Sequence, residues 1–336
     1  MSNPSAADAA KTDAAKAGAA EPGPAFSRFS FSLRDAGTLI GLVIIVVVFA
    51  SLVPGFLSER NLLNILQQSS INACLALGMT LVIISGGIDL SVGPTAAISA
   101  VVAATLLLSG TPVPLAILAG LGIGSVCGLI NGILVAYVGL QPFIVTLGTL
   151  STYRAIALIY TGGNPVLGIP PGFRSLFNGT LLGIPTPVWI VAAVAVAAWI
   201  LLNKTPIGEY LLAVGGNEEA AYIAGVPIES TKITAYVISG GLAALASLIL
   251  IGRLGAAEPI LGNLWELDAI AAAAIGGASL MGGKGSILGT ILGAIILGTM
   301  RNGLTLMNVQ AFYQLLATGL IILVAMMIDR ATRGRG

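Results

Sequence analysis

LGMTLVIISGGIDLSVGPTAAISAVVAATLLL, Leu77 to Leu108, is the stretch on which the reading of this chain turns. Two apolar runs flank GGIDLSVG, Gly86 to Gly93, and Asp89 stands between segments that look lipid-bound. A charged side chain near the bilayer centre costs at least about 2.5–3.5 kcal/mol on insertion scales, so it is kept where it faces a bundle interior or water. Gly86 and Gly87 before Asp89, and Gly93 after it, each disfavour helix by about 1 kcal/mol relative to Ala. The stretch predicts a helix break toward the inner side, with Asp89 or Ser91 capping the helix that resumes at Val92 and Pro94 tolerated in its first turn. A capped break facing a water-filled path is also a place for a hinge or gate.

Outward from that stretch the composition agrees. The 336 residues are 56% hydrophobic and 9% charged, where soluble domains hold about 45–50% and about 25%. The fold class is therefore an all-α polytopic membrane protein. Runs of suitable length lie near 38–53, 61–84, 92–109, 113–138, 142–160, 187–202, 232–252, 267–281, 286–301 and 312–328, about ten helices with some of them broken. Cytoplasmic loops hold the excess of Lys and Arg. With the N terminus inside, Lys11, Lys16, Arg28, Arg34, Lys204, Lys232, Lys284, Arg330, Arg333 and Arg335 face the cytoplasm, against Arg60, Arg174, Arg253 and Arg301 outside. Both termini are expected to be cytoplasmic.

The same numbers exclude several functions. A net charge of +1 with no basic stripe leaves no nucleic-acid surface. Cys74 and Cys127 lie inside apolar segments and read as small hydrophobes without a disulfide. Histidine is absent, which removes the commonest general base and the commonest metal ligand; no catalytic residue and no metal site is expected. An intramembrane enzyme, such as a lipid-linked sugar transferase, lacks the acids and ligands it needs.

Residues 1–34, rich in Ala with scattered charge, read as a disordered cytoplasmic tail, 35–330 as the transmembrane domain and 331–336 as a short cytoplasmic tail. TGGNPVLGIPPGFRSLFNGTLLGIPTP, 161–187, is dense in Gly and Pro and predicts an irregular outer loop. The inner loop, 203–232, holds the largest cluster of charge. Within it GGNEEAAYIAG reads as one short helix: Asn217 caps it, Glu218 and Glu219 complement its positive end, and Gly225 stops it. So short a helix is marginal in water alone, so its own domain or a partner must hold it.

GGASLMGGKGS, Gly276 to Ser286, is a false lead for nucleotide binding. A phosphate-cradling loop needs G-x-x-x-x-G-K-[ST] after a strand, yet Ala278 stands five before Gly283, Gly285 follows Lys284, and the preceding run reads as a span. The glycines predict a tight inner turn with close helix packing.

Within the membrane the charged candidates are Asp89, Arg154, Glu266 and Asp268. Asp268 follows Trp265 and reads as interfacial, near the outer end of its span. Arg154 is expected to snorkel or to pair with one of the acids. Gln67, Asn72, Asn131 and Asn302 are candidates for lining a hydrophilic path, or for bonding neighbouring helices. The NG pairs Asn131–Gly132 and Asn302–Gly303 are spaced as an inverted five-plus-five repeat would place them.

GGIDLSVG, LQPFIVTLGTLSTYRAIALIYTGGNPV, LLAVGGNEEAAYIAGVPIESTKITAYVISG and ELDAIAAAAIGGASLMGGKGSILGTILGAIILG together closely resemble the ribose-type membrane permeases of bacterial ABC sugar importers, in order from about Asp35 to Asp329. The resemblance implies a multi-pass bacterial inner-membrane permease in contact with lipid. It implies a homodimer with a second permease copy, cytoplasmic ABC ATPase subunits that bind ATP and Mg, and a periplasmic sugar-binding protein that delivers a monosaccharide. No cofactor is expected in this chain. It also makes the inner loop a coupling loop, with Gly215, Gly216, Asn217, Glu218, Glu219, Ala220, Ala221 and Gly225 as the ATPase-coupling residues. The alternative reading is an ion-coupled secondary transporter using Asp89 or Asp268.

Overall fold

The computed structural model describes residues 33–333 of the chain. The Ala-rich tail lies outside the described residues, except that the first helix begins at Leu33, and of the C-terminal tail only 331–333 are described. Ten apolar helices fall on the ten runs read from the sequence: α1 (Leu33–Leu52), α2 (Glu59–Ile84), α3 (Val92–Leu108), α4 (Val113–Ala136), α5 (Pro142–Thr161), α7 (Thr186–Lys204), α10 (Ile228–Leu254), α11 (Trp265–Ile275), α12 (Ile287–Leu306) and α13 (Ala311–Arg333). Among the described residues, α2, α4, α5, α7, α10 and α12 are long and apolar enough to cross a membrane.

Two of these helices fall short of a full span. Helix α3 has 17 residues and α11 only 11, whereas about 20 are needed for a hydrocarbon layer about 30 Å thick. The expected span 267–281 ends early because Gly276 and Gly277 leave the helix, Gly277 with φ of +86°. The loop 161–187 is more ordered than its Gly and Pro content predicts. It holds β1 (Val166–Leu167), the short helix α6 (Pro171–Asn178), and the hairpin β2 (Thr180–Leu181) and β3 (Ile184–Pro185). Strand β1 pairs antiparallel with β4 (Ala256–Ala257), which follows α10. Phe173 and Phe177, one turn apart on α6, are both buried and anchor it.

Helices α2, α3, α10 and α11 form the buried centre, with α2 buried continuously from Ser69 to Ile84. Their packing is duplicated. Helix α10 packs on α3 and α4 as α2 packs on α11 and α12; α3 packs on α4 and α5 as α11 packs on α12 and α13. Arg253 Nη2 lies 3.4 Å from Asn64 Oδ1, and a Cβ on Gly78 would stand 2.9 Å from Ser239 Cα. The α2 number therefore rises as the α10 number falls, so the two helices are antiparallel and the repeat is inverted, as the two NG pairs on α4 and α12 suggested.

The tightest seam joins α4 to α10. Gly120, Gly124, Gly128 and Gly132 recur every four residues and so share one face of α4. A Cβ on Gly124 would overlap the Gly240 carbonyl, one on Gly128 the Tyr236 carbonyl, and one on Gly132 would stand 2.8 Å from Ile233 Cα. Small residues let backbones approach closely where no hydrophobic force separates helix from lipid.

Candidate functional site

The break between α2 and α3 is held by Asp89, whose side chain is buried. Its Oδ1 accepts from Ser91 N at 3.0 Å and from Ser91 Oγ at 2.7 Å, and its Oδ2 accepts from Ser239 Oγ of α10 at 2.9 Å. Asn131 of α4 donates Nδ2 to Ser91 Oγ at 2.8 Å. Tyr153 of α5 donates its hydroxyl to the Cys127 carbonyl at 3.0 Å and lies 3.5 Å from Asn131 Oδ1. The Ile88 carbonyl takes Thr146 Oγ1 at 3.1 Å and Tyr236 OH at 3.5 Å. One break is thus bonded to α4, α5 and α10.

Capping at the break differs from the expectation in one respect. Ser91 occupies the position before α3, yet its side chain caps no first-turn amide. Its hydroxyl is already committed to Asp89 and Asn131, and Asp89 turns the backbone by taking the Ser91 amide two residues on.

A second break, between α10 and α11, meets the first. A Cβ on Gly93 would overlap the Gly262 carbonyl and stand 3.1 Å from Glu266 Oε2. Arg154 Nη1 donates to the Pro259 and Leu261 carbonyls at 2.8 and 2.7 Å. Arg154 therefore ties down unpaired backbone in the second break, where the sequence suggested snorkelling or pairing with an acid. Asp268 is buried and held in a two-pronged contact by Arg301 of α12, Nη2 to Oδ1 at 2.7 Å and Nη1 to Oδ2 at 3.0 Å, a partner the sequence did not indicate.

The four candidates for a polar path separate into two groups. Asn131 belongs to the Asp89 network. Gln67 and Asn72 lie on α2 and Asn302 on α12, helices that pack together; the buried Asn302 Oδ1 has no hydrogen-bond partner. Gln67 also lines an open cleft of about 570 Å³ with Ser58, Arg60, Asn61 and Asn64.

At the other end of the bundle the loop 203–232 forms α8 (Pro206–Gly216) and α9 (Glu218–Ile223). Helix α9 is the short helix read from the sequence, with Asn217 Oδ1 accepting from Ala220 N at 2.9 Å and Gly225 turning at φ of +79°. Helix α8 is an addition that the sequence reading missed; Pro206 in its first turn was the available signal. Gly216, Asn217, Glu218, Glu219, Ala220 and Gly225 are exposed, whereas Gly215 is partly covered and Ala221 is buried against Val214 and Ile228. Glu218 pairs with Lys232 of α10 at 2.7 Å. Tyr222 and Ile223 present 72% and 80% of their surface. A cavity of about 290 Å³ lies between this loop and the first break, bounded by Gly86, Gly87, Gly216, Glu218, Lys232 and Tyr236.

Residues 61–326 match the family described as branched-chain amino acid transport system / permease component. The chain is 45% identical over 304 residues to the ribose import permease protein of Bacillus subtilis (strain 168), covering 90% of this chain and 94% of that one. It is 40% identical over 306 residues to the D-allose transport system permease protein of Escherichia coli (strain K12), covering 90% and 94%. Identity to the galactose/methyl galactoside import permease protein of the same strain is 38% over 316 residues, covering 88% and 94%. No solved structure matches the chain.

Proposed function

We propose, starting from the fact that this chain belongs to the permease family described as branched-chain amino acid transport system / permease component, that it is the membrane-spanning subunit of an ATP-driven ABC importer for a monosaccharide. It is a multi-pass protein of the bacterial inner membrane. Its relatives at 38–45% identity are import permeases for ribose, allose and galactose, which supports a monosaccharide as the substrate class. A periplasmic binding protein delivers the sugar, a second copy of the chain completes the path, and separate cytoplasmic ATPase subunits bind ATP and Mg. Both termini and the loop 203–232 face the cytoplasm.

The observation that carries this reading is the surface of α9. A helix of six residues, held by a cap, one ion pair and the burial of Ala221, leaves Tyr222 and Ile223 largely exposed beside Glu218 and Glu219. These two large exposed apolar side chains fit a partner's groove, with Glu219 available to a basic residue at its rim. The ATPase docks there, and the breaks at Gly86–Gly93 and 258–264 are where the bundle bends to open alternately to each side.

Co-purification with the ATPase tests the assignment. Ile223→Asp is expected to leave the permease monodisperse in detergent and to abolish assembly with the ATPase. ATP hydrolysis by the purified chain alone, abolished by Lys284→Ala, would overturn it, as would transport that persists in ATP-depleted vesicles and collapses with an ionophore.

A further inference from the structure

The glycine-rich turn Gly276–Ser286 has no nucleotide to hold, yet its glycines are fitted to particular partners. The turn closes on itself, Ser279 N donating to the Lys284 carbonyl at 2.9 Å and Gly282 N to the Ser279 carbonyl at 2.8 Å. It then reaches the end of α2: Gly283 N donates to the Ile84 carbonyl at 2.9 Å. Helix α2 satisfies the carbonyls of Leu81, Val82 and Ile83 by its own next residues, Ser85, Gly87 and Gly86. Ile84 is the first carbonyl taken by another segment, just where the break begins.

The coupling loop grips the same point. A Cβ on Gly215 would overlap the Ile84 carbonyl and stand 2.7 Å from Gly283 N. A Cβ on Gly282 would stand 2.5 Å from the Gly215 carbonyl, and one on Gly283 2.7 Å from Gly216 Cα. Gly282 and Gly283 have φ of +88° and +71°, a region that disfavours any side chain. Three segments, the end of α8, the turn and the end of α2, therefore meet backbone to backbone. Such a junction has no side-chain slack, so a shift of one segment is passed to the others rather than absorbed by rotamers.

We propose that Gly282 and Gly283 of this turn, together with Gly215, are positioning residues that hand movement of the coupling loop to the Ile84 carbonyl and so to the Gly86–Gly93 break. The turn also joins α11 to α12, so the same clasp grips the helix that starts at the second break. The inference rests on α9 being the ATPase dock, but assigns to the turn a role of its own. The side chains of Lys284 and Met281, exposed on the turn, are not part of the clasp.

The test compares transport with hydrolysis in the reconstituted permease, ATPase and binding protein. Gly283→Ala and Gly282→Ala are expected to retain ATPase assembly while sugar moved per ATP hydrolysed falls about tenfold, within the range for changes along a coupling network. Unchanged transport per ATP in both would overturn the relay and leave the docking reading intact; loss of assembly in Ile223→Asp addresses that reading separately. Loss of assembly in Lys284→Ala or Met281→Ala would make the turn a docking surface and also overturn the relay. If the glycine variants fail to fold, hydrogen exchange on the unaltered complex decides. On ATP binding, protection of 277–285 should change together with 206–225 and 84–91. A coupling loop that changes while 277–285 stays constant would refute the relay.

Discussion

Ser239, midway along α10, donates its hydroxyl to Asp89 at 2.9 Å, so the break after α2 is pinned to a helix 150 residues away in sequence. Asp89→Ala would leave the Ser91 amide, the Ser91 hydroxyl and the Ser239 hydroxyl without their acceptor, and an unsatisfied buried donor costs about 1–3 kcal/mol. The melting temperature of the detergent-solubilised protein is expected to fall. Asp89→Asn keeps the Oδ1 acceptor and is expected to retain the fold. If it assembles with the ATPase yet transports slowly, the carboxylate serves the gate; normal transport would reduce Asp89 to a structural cap.

The α4–α10 seam predicts a sharp positional contrast among glycines. Gly128→Ala and Gly124→Ala push a methyl into opposing backbone, and are expected to cost as much as or more than the about 1–3 kcal/mol of ordinary overpacking. Gly122, exposed on the same helix with no neighbour within 4 Å, is expected to gain up to about 1 kcal/mol as Ala from helix propensity. Thermal unfolding of the three proteins in one detergent checks the order.

Asp268 and Arg301 predict strong non-additivity. Removing Arg301 alone leaves a buried carboxylate, a change that costs about 3–5 kcal/mol for fully buried pairs. The lower end applies here because the Arg301 side chain is 37% exposed. The double replacement Asp268→Leu with Arg301→Met is expected to recover most of that loss. A double-mutant cycle on thermal stability measures the coupling, and additive losses would contradict it.

Asn217 predicts a functional effect with little change in bulk stability. Asn217→Ala deletes the bond to the Ala220 amide, worth about 1 kcal/mol to a helix end, and α9 has only six residues over which to spread it. Affinity for the ATPase is expected to fall while the main melting transition stays in place. Asn217→Asp, which can still cap, is expected to restore it.

Much of the site was legible because its signals are local. Asn217, the two acids after it and Gly225 act within one turn of each other, so α9 could be read directly from GGNEEAAYIAG. The break at Gly86–Gly93 follows equally from glycine's cost in a helix. The partners of Asp268 and Arg154 were not legible, because Arg301 and the Pro259 and Leu261 carbonyls lie 33 and about 105 residues away. The four glycines of α4 were visible in the sequence, but what they face on α10 was not.

By itself the sequence determined the solvent and the elements. Hydropathy, glycine placement and charge bias act along the chain, and they fixed a bundle of apolar helices, a break at Asp89 and a capped helix on a charged loop. Tertiary structure decided which breaks meet, which polar groups are already satisfied, and that Gly283 bonds the Ile84 carbonyl while Gly215 packs against it. Those relations are backbone approaches between distant segments, and a glycine encodes only the permission to approach, not the identity of what arrives.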